Sequence, residues 1–279
     1  MVDVGSNDGT WLQGFKKLGV QTLGVEPAPK IARLAHEAGI DTEVAFFGRD
    51  TAARLVRERQ RARVITAAGV FFHIDDLADF VAGVTTLLAE DGVFVVQAMY
   101  LPDIIERTAF DAVYHEHLEY YTLKPLARLF KAFGLEIVDV VRKDIHGGSF
   151  ILYVEREGRS KPAASVAALM RQEEEKGLYR LETYQVFARR VEKLREDLVG
   201  LLKRLRSEGK RIVAYGAPAR GNTLLNYCGI GTDLVEAASE KNELKVGLYT
   251  PGMHLPVRSE REIQANPPDY YLVLAWNFF

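Results

Sequence analysis

Short apolar runs alternate with helical repeats through the first half of the chain. Val2–Val4, Gln21–Val25, Val64–Ala68 and Val93–Gln97 are brief apolar-rich segments of the kind a buried strand requires. Between them Thr10–Leu18, a segment from about Pro29 to Ala38, and Leu77–Leu88 repeat apolar residues at helical spacing. Such alternation predicts an α/β fold, a parallel sheet covered by helices on both faces. Lys124–Phe133 reads as a further helix. Leu135–Val141 and Ser149–Glu155 read as two strands, joined as a hairpin through "KDIHGG".

The pattern then changes. Pro162 closes the first unit, and Ala163 to Ser207 is dominated by helix formers, with an interruption expected at Gly177. Apolar residues at Leu178, Leu181, Tyr184, Phe187, Val191, Leu194 and Leu198 form a stripe whose plain reading is core packing. A second strand–turn–helix opens with "RIVAYGAPARGNTLLNY". Strands are expected at Leu234–Ala238 and Tyr270–Ala275, around a Gly- and Pro-containing loop, "KVGLYTPGMHLPV". The organisation read from this is a domain over 1–160, a helical connection over 161–209 and a second domain over 210–279.

Composition narrows the classes. Apolar residues at 48% and charged residues at 27% fit a globular protein with a substantial core. Lys plus Arg (36) nearly balances Asp plus Glu (38), which gives no electrostatic case for a nucleic-acid or membrane partner. No apolar run is long enough to span a bilayer, and no basic-then-apolar leader opens the chain, so a cytoplasmic location is expected. Cys228 is the one cysteine, which excludes a disulfide framework and a cysteine-built zinc site. "MVDVGSNDG" starts inside a strand and "DYYLVLAWNFF" stops just after one, so further segments are expected beyond both ends.

Three stretches carry candidate chemistry. "VDVGSNDG" sets Gly5 and Gly9 after a strand and before a helix, and Glu26 ends the next strand about 20 residues on. A carboxylate there can accept from both hydroxyls of a ribose. The second glycine of G-x-G-x-x-G is missing, so the turn suits an adenosyl ligand without a pyrophosphate, such as S-adenosylmethionine. An ordinary glycine turn beside a solvated Glu is the alternative. "YGAPARGNTLLNY" brackets Arg220 between Gly216 and Gly221, with Asn222 and Thr223 expected to start a helix. Unpaired N–H groups and a guanidinium there suit a diphosphate, while a buried turn with Arg220 at its rim is the alternative.

The third stretch is "YHEHLEYY", from Tyr114 to Tyr121. His115 and His117 are two apart, the wrong spacing for a zinc helix, and no metal is expected. Dense imidazole, carboxylate and phenol groups favour acid–base work: a His to take a proton, a Glu to orient it, a Tyr to hold an oxyanion. A role-free loop is the alternative.

Taken in order, "GSNDG", "GVEP", "FDAVYHEHLEYYTL", "HGGS", "YGAPARGNTLLNY" and "TPGMHLPV" resemble the sugar-nucleotide C-methyltransferases of deoxysugar biosynthesis. The resemblance implies two Rossmann-like lobes, a methyl-donor lobe and a C-terminal nucleotide-sugar lobe, joined by long helices. It implies S-adenosylmethionine bound through Gly5, Asn7, Asp8, Gly9 and Glu26. Tyr114, Glu116 and His117 fall on the catalytic motif, with His117 as general base. Arg220, Gly221, Asn222, Thr223, His146 and Ser149 fall on the side of the substrate, a nucleotide-linked (dTDP-linked) 4-keto-deoxysugar. The family's N-terminal cysteine-rich zinc module is unmatched, Gln97 stands where an acid is expected, and Arg220 where lysine is common. A nicotinamide-dependent oxidoreductase or epimerase and a non-catalytic binding protein are the rival readings.

Overall fold

A computed structural model describes residues 1–145 and 147–276. The chain divides into two compact units: 1–102 with 118–177, and 103–117 with 178–279. The expected continuous first domain is thus interrupted, because the segment that opens "YHEHLEYY" folds with the C-terminal residues.

The first unit contains, in order, β1 (Val2–Val4), α1 (Thr10–Lys17), β2 (Leu23–Val25), α2 (Pro29–Glu37), β3 (Thr42–Glu43), α3 (Arg49–Glu58), β4 (Ala62–Ala68), α4 (Leu77–Leu87) and β5 (Leu88–Met99). Helix α5 (Leu101–Glu106) lies at the boundary, and α6 (Leu123–Ala132), β6 (Leu135–Lys143), β7 (Ser149–Arg156) and α7 (Ala164–Glu175) complete it. Seven strands form one sheet in the order β3-β2-β1-β4-β5-β7-β6. The first five are parallel, while β7 is inserted antiparallel between β5 and β6. The chain runs outward from β1 to β3, then returns to the other side of β1 with β4. That reversal opens a crevice at the carboxyl ends of β1 and β4, the usual place for a ligand in such a sheet.

Aromatic rings fill the core beside this crevice. Phe71 is fully buried, with ring centroids 5.5 Å from Phe80, 6.4 Å from Phe94, 6.1 Å from Phe130 and 5.3 Å from Tyr121. Its carbonyl also accepts the Tyr121 hydroxyl at 2.9 Å. The expected hairpin is present as the β6–β7 pair. Gly177 ends the α7 segment with φ +65°, a conformation glycine adopts without steric cost.

The second unit contains α8 (Leu181–Ser207), β8 (Ile212–Tyr215), α9 (Ala219–Cys228), β9 (Ala238–Glu240), β10 (Val257–Ser259), α10 (Glu260–Ala265) and β11 (Tyr270–Val273). Its sheet is parallel, in the order β10-β9-β8-β11. The α8 stripe at Phe187, Val191, Leu194 and Leu198 packs into a core with Leu225, Ile230, Val235 and Leu274. The expected strand at Leu234–Ala238 lies further on: Leu234 and Val235 are buried before the strand, which begins at Ala238. Here too the order reverses, so the carboxyl ends of β8 and β11 flank a switch point. Among the described residues, no helix is long and apolar enough to cross a membrane.

Candidate functional site

The crevice of the first unit holds a cavity of about 940 Å³, within the range of small-molecule sites. Gly5, Asn7, Asp8, Trp11, Glu26 and Phe46 are among the residues that line it. Four of the five expected donor residues therefore meet there. Gly9 does not line it: it begins α1 at φ +76°, and an added methyl would lie 3.0 Å from Ile40. Gly5 is constrained by packing as well, since a methyl there would sit 2.2 Å from Val70 Cγ2.

Glu26 organises the crevice. It is buried at the end of β2, accepting from Asn7 N at 3.1 Å through Oε2 and from Ala28 N at 2.9 Å through Oε1. One carboxylate thus fixes both the turn after β1 and the entry to α2. Each oxygen keeps a second lone-pair direction for a diol. Asn7 takes φ +52°, which asparagine tolerates, and its Oδ1 accepts from Asp8 N at 2.8 Å. Asp8 is held below the usual carboxylate range by its bonds to Thr10.

Asp3, which sequence reasoning missed, also lines the cavity. Its place inside a strand read as one more buried position, although a carboxylate between two valines was the available signal. Burial pushes its carboxyl up to about 6, opposed by a hydrogen bond donated by the Thr66 hydroxyl. The unfolded value is near ~3.9, so the folded chain binds more protons between the two. The charged form costs up to about 3 kcal/mol of stability, a loss that develops as pH rises from about 4 through 6. Asp3→Asn keeps an acceptor for Thr66 and lacks that penalty. Its stability advantage over wild type in urea denaturation should therefore grow between about pH 4 and about pH 7.5. An equal difference at both values would show that burial does not perturb Asp3.

The second unit holds the acid–base stretch. Tyr114 and His117 are half-buried, and their ring centroids lie 4.1 Å apart. His117 N donates to Tyr114 O at 3.0 Å, closing the turn. His117 Nδ1 lies 2.7 Å from the Ala112 carbonyl oxygen. A carbonyl can only accept, so the neutral ring carries its proton on Nδ1 and its basic lone pair on Nε2. The Ala112 carbonyl thus orients the imidazole, and the expected orienter Glu116 is exposed and lies beside the Tyr114 phenol. Burial raises the Tyr114 phenol above its ordinary value; the Glu116 charge adds to this and Arg220 opposes it. His115 is exposed.

The residues expected on the substrate side occupy other positions. Arg220 is not a rim cation. Its Nε and Nη2 donate to the buried Asp111 carboxylate at 2.8 and 3.0 Å, and its side chain is 11% exposed, so its charge is neutralised internally. Gly221 is buried, and a methyl there would meet Leu274 at 3.1 Å. Helix α9 starts at Ala219, after Pro218, which moves Asn222 and Thr223 inside it. Asn222 O accepts from Asn226 Nδ2, and Thr223 Oγ1 donates to the Val113 carbonyl at 3.2 Å. Ser149 is fully buried in the first unit, accepting from Gln97 Nε2 at 2.8 Å and donating to Ile145 O at 2.9 Å, so it braces a turn. His146 lies outside the described residues.

The turn after β8 repeats the frame of the turn after β1. Gly216 N donates to Ser239 O at 2.8 Å, as Gly5 N does to Val25 O, and Glu240 accepts from Ala217 N and Asn242 N at 3.1 and 3.0 Å. Here Lys245 fills the crevice, donating to Ala217 O at 3.0 Å with Glu240 Oε2 3.7 Å away. The cavity that remains is about 260 Å³.

Two family models match the chain, and the boundary between them falls in the β6–β7 hairpin of the first unit. Residues 1–140 match the model of a methyltransferase domain, and residues 144–279 that of a C-methyltransferase C-terminal domain. C-methyltransferase NovU of Streptomyces niveus is 35% identical over 281 residues, covering the whole of this chain and 66% of that protein. A ubiquinone biosynthesis O-methyltransferase of Rhodopseudomonas palustris is 24% identical over 36% of this chain and 39% of its own. The chain thus spans less than two thirds of the length of either relative. A solved S-adenosylmethionine-dependent methyltransferase of Anabaena variabilis overlays 56% of this chain and 76% of its own at 13% identity, with a TM-score of 0.45. On its matched domains this chain belongs to the methyltransferase family.

Proposed function

We propose that the protein transfers a methyl group to a carbon atom of a nucleotide-linked 4-keto-deoxysugar, with a dTDP-linked sugar as the expected form. The observation that carries this reading is the Nδ1–H tautomer imposed on His117 by the Ala112 carbonyl, with the Tyr114 phenol at its side. The C-methyltransferase C-terminal domain and the likeness to NovU support it. The nucleotide sugar rests on the resemblance of the motifs.

S-adenosylmethionine supplies an electrophilic methyl group, and a saturated sugar carbon has no lone pair to offer it. An adjacent ketone makes that carbon's proton removable. His117 Nε2 takes the proton, and the electron pair moves onto the ketone oxygen as an enolate. Burial and the Glu116 carboxylate, which accepts from the hydroxyl, keep the Tyr114 phenol protonated, and its single O–H donates to the enolate oxygen in place of Glu116 when the sugar is bound. The cavity residues fit the cofactor: Glu26 offers two carboxylate oxygens to a ribose diol, and Trp11 and Phe46 offer apolar surface.

Glu26→Ala should weaken cofactor binding by about 1–3 kcal/mol, the range for losing a charged hydrogen-bond partner. Unchanged affinity by calorimetry would remove Glu26 from the site. The function is tested by incubating the protein and S-adenosylmethionine with a panel of dTDP-4-keto sugars. A gain of one methyl mass on a sugar is expected, and no gain across the panel would contradict the reading. S-adenosylhomocysteine should also raise the melting temperature where NAD does not. Stabilisation by NAD alone would favour the nicotinamide-dependent rival.

A further inference from the structure

Helix α9 presents Arg220, Thr223 and Tyr227 at i, i+3 and i+7, along one face. Each engages a different residue of the segment leading into "YHEH". Tyr227 packs its ring 5.2 Å from that of Phe110. Arg220 holds the Asp111 carboxylate through two nitrogens. Thr223 Oγ1 donates to the Val113 carbonyl. Beyond β11, Trp276 Nε1 donates to Asp111 Oδ2 at 2.9 Å, and the Arg220 guanidinium lies 4.9 Å from the Trp276 ring centroid.

Ala112 is the residue in the middle of this run, and its carbonyl decides which nitrogen of His117 bears the proton. Both of its neighbours are tied down, one by side chain and one by backbone oxygen. A buried ion pair is a poor device for stability alone, because desolvation consumes much of its attraction. It is a good device for fixing direction, since a bidentate guanidinium–carboxylate contact admits little rotation.

We propose that Arg220, Asp111, Thr223 and Trp276 are positioning residues that hold the Ala112 carbonyl against His117 Nδ1 and so keep the basic lone pair on Nε2. This rests on the reading of His117 as the base. None of the four need touch the substrate. Their effect falls on the fraction of enzyme with a correctly protonated imidazole, and hence on kcat more than on KM.

The test combines a spectroscopic readout with kinetics in the full-length protein. Long-range proton–nitrogen NMR, with the His117 signals identified by their loss in His117→Asn, reports which ring nitrogen is protonated. The wild type should show Nδ1–H. The double variant Asp111→Leu with Arg220→Met replaces the ion pair by apolar groups of similar size, which buried pairs often tolerate. It should melt as a folded protein, show a mixture of His117 tautomers, and lose roughly 10- to 100-fold in kcat with little change in KM, the scale of a misplaced catalytic group. Thr223→Val, which removes one hydroxyl at nearly constant shape, should move the tautomer in the same direction by less. Restoring the pair as Asp111 with Arg220→Lys should recover part of the Nδ1–H signal. A folded double variant with wild-type tautomer and kcat would overturn the proposal. If the double variant does not fold, an unchanged tautomer in Thr223→Val would do so. A tautomer shift without methyl transfer to any keto sugar would leave the positioning intact and remove the functional reading instead.

Discussion

Replacing His117 with asparagine should lower the rate of methyl transfer by roughly 10²–10⁴, the usual contribution of a positioned base. Asparagine can still donate an amide N–H toward the Ala112 carbonyl, but its amide nitrogen has no basic lone pair to stand in for Nε2. Cofactor binding should survive, because the residues of the cofactor cavity lie in the other folded unit. Solvent deuterium gives a second view of the same step. With the methyl donor withheld, wild type should exchange deuterium into the sugar carbon beside the ketone, and His117→Asn should do so far more slowly. Equal exchange in both proteins would place the base elsewhere, with His115 or Tyr114 next to be replaced.

The largest effect on stability is expected at Phe71. Its ring touches the packing of Phe80, Phe94, Phe130 and Tyr121, and it is fully buried. Phe71→Ala should cost about 3–5 kcal/mol, the loss of buried apolar surface together with the cavity left among rings that can only partly collapse. Phe71→Leu should cost much less, since most of the volume remains. The change should also reach the cofactor, because Gly69, Val70 and His73, on either side of Phe71, line its cavity. Urea denaturation measures the first effect and calorimetry with S-adenosylhomocysteine the second. A cost for Phe71→Ala below about 1 kcal/mol would mean that the rings repack without it.

Elements with strong local patterns were legible in the chain. β1, α1, α2, β4, α4 and the β6–β7 hairpin follow from apolar spacing and glycine turns. β3 was missed because Thr42–Glu43 is too short to show a period of two, and α3 because only Ala52 and Leu55 of Arg49–Glu58 are buried. β10 and α10, at three and six residues, fall below the same threshold. The strand expected at Leu234–Ala238 shifted to Ala238–Glu240, since buried apolar residues need not be extended and the paired residues Ser239 and Glu240 are polar.

The site was legible in its residue types and less so in its contacts. Glu26 is identifiable from its distance to the glycine turn. The role of Arg220 is not, because its partner Asp111 is 109 residues away and nothing local marks the pair. A basic residue in a glycine-bracketed turn reads as an anion ligand until the acid that pairs with it is placed. Likewise "YHEH" shows which groups are gathered, whereas the atom that chooses the imidazole tautomer is a backbone oxygen, which no side-chain pattern encodes.

The most direct test of the central claim is the bond that the transferred methyl makes. The protein would be given S-adenosylmethionine labelled with carbon-13 in its methyl group and a dTDP-linked 4-keto-deoxysugar, and the product examined by carbon NMR. The account predicts a methyl bonded to a ring carbon next to the position of the ketone, coupled to that carbon. A labelled methyl bonded to oxygen or nitrogen of the sugar would contradict it, since transfer to a heteroatom needs no enolate and gives His117 no proton to take from carbon.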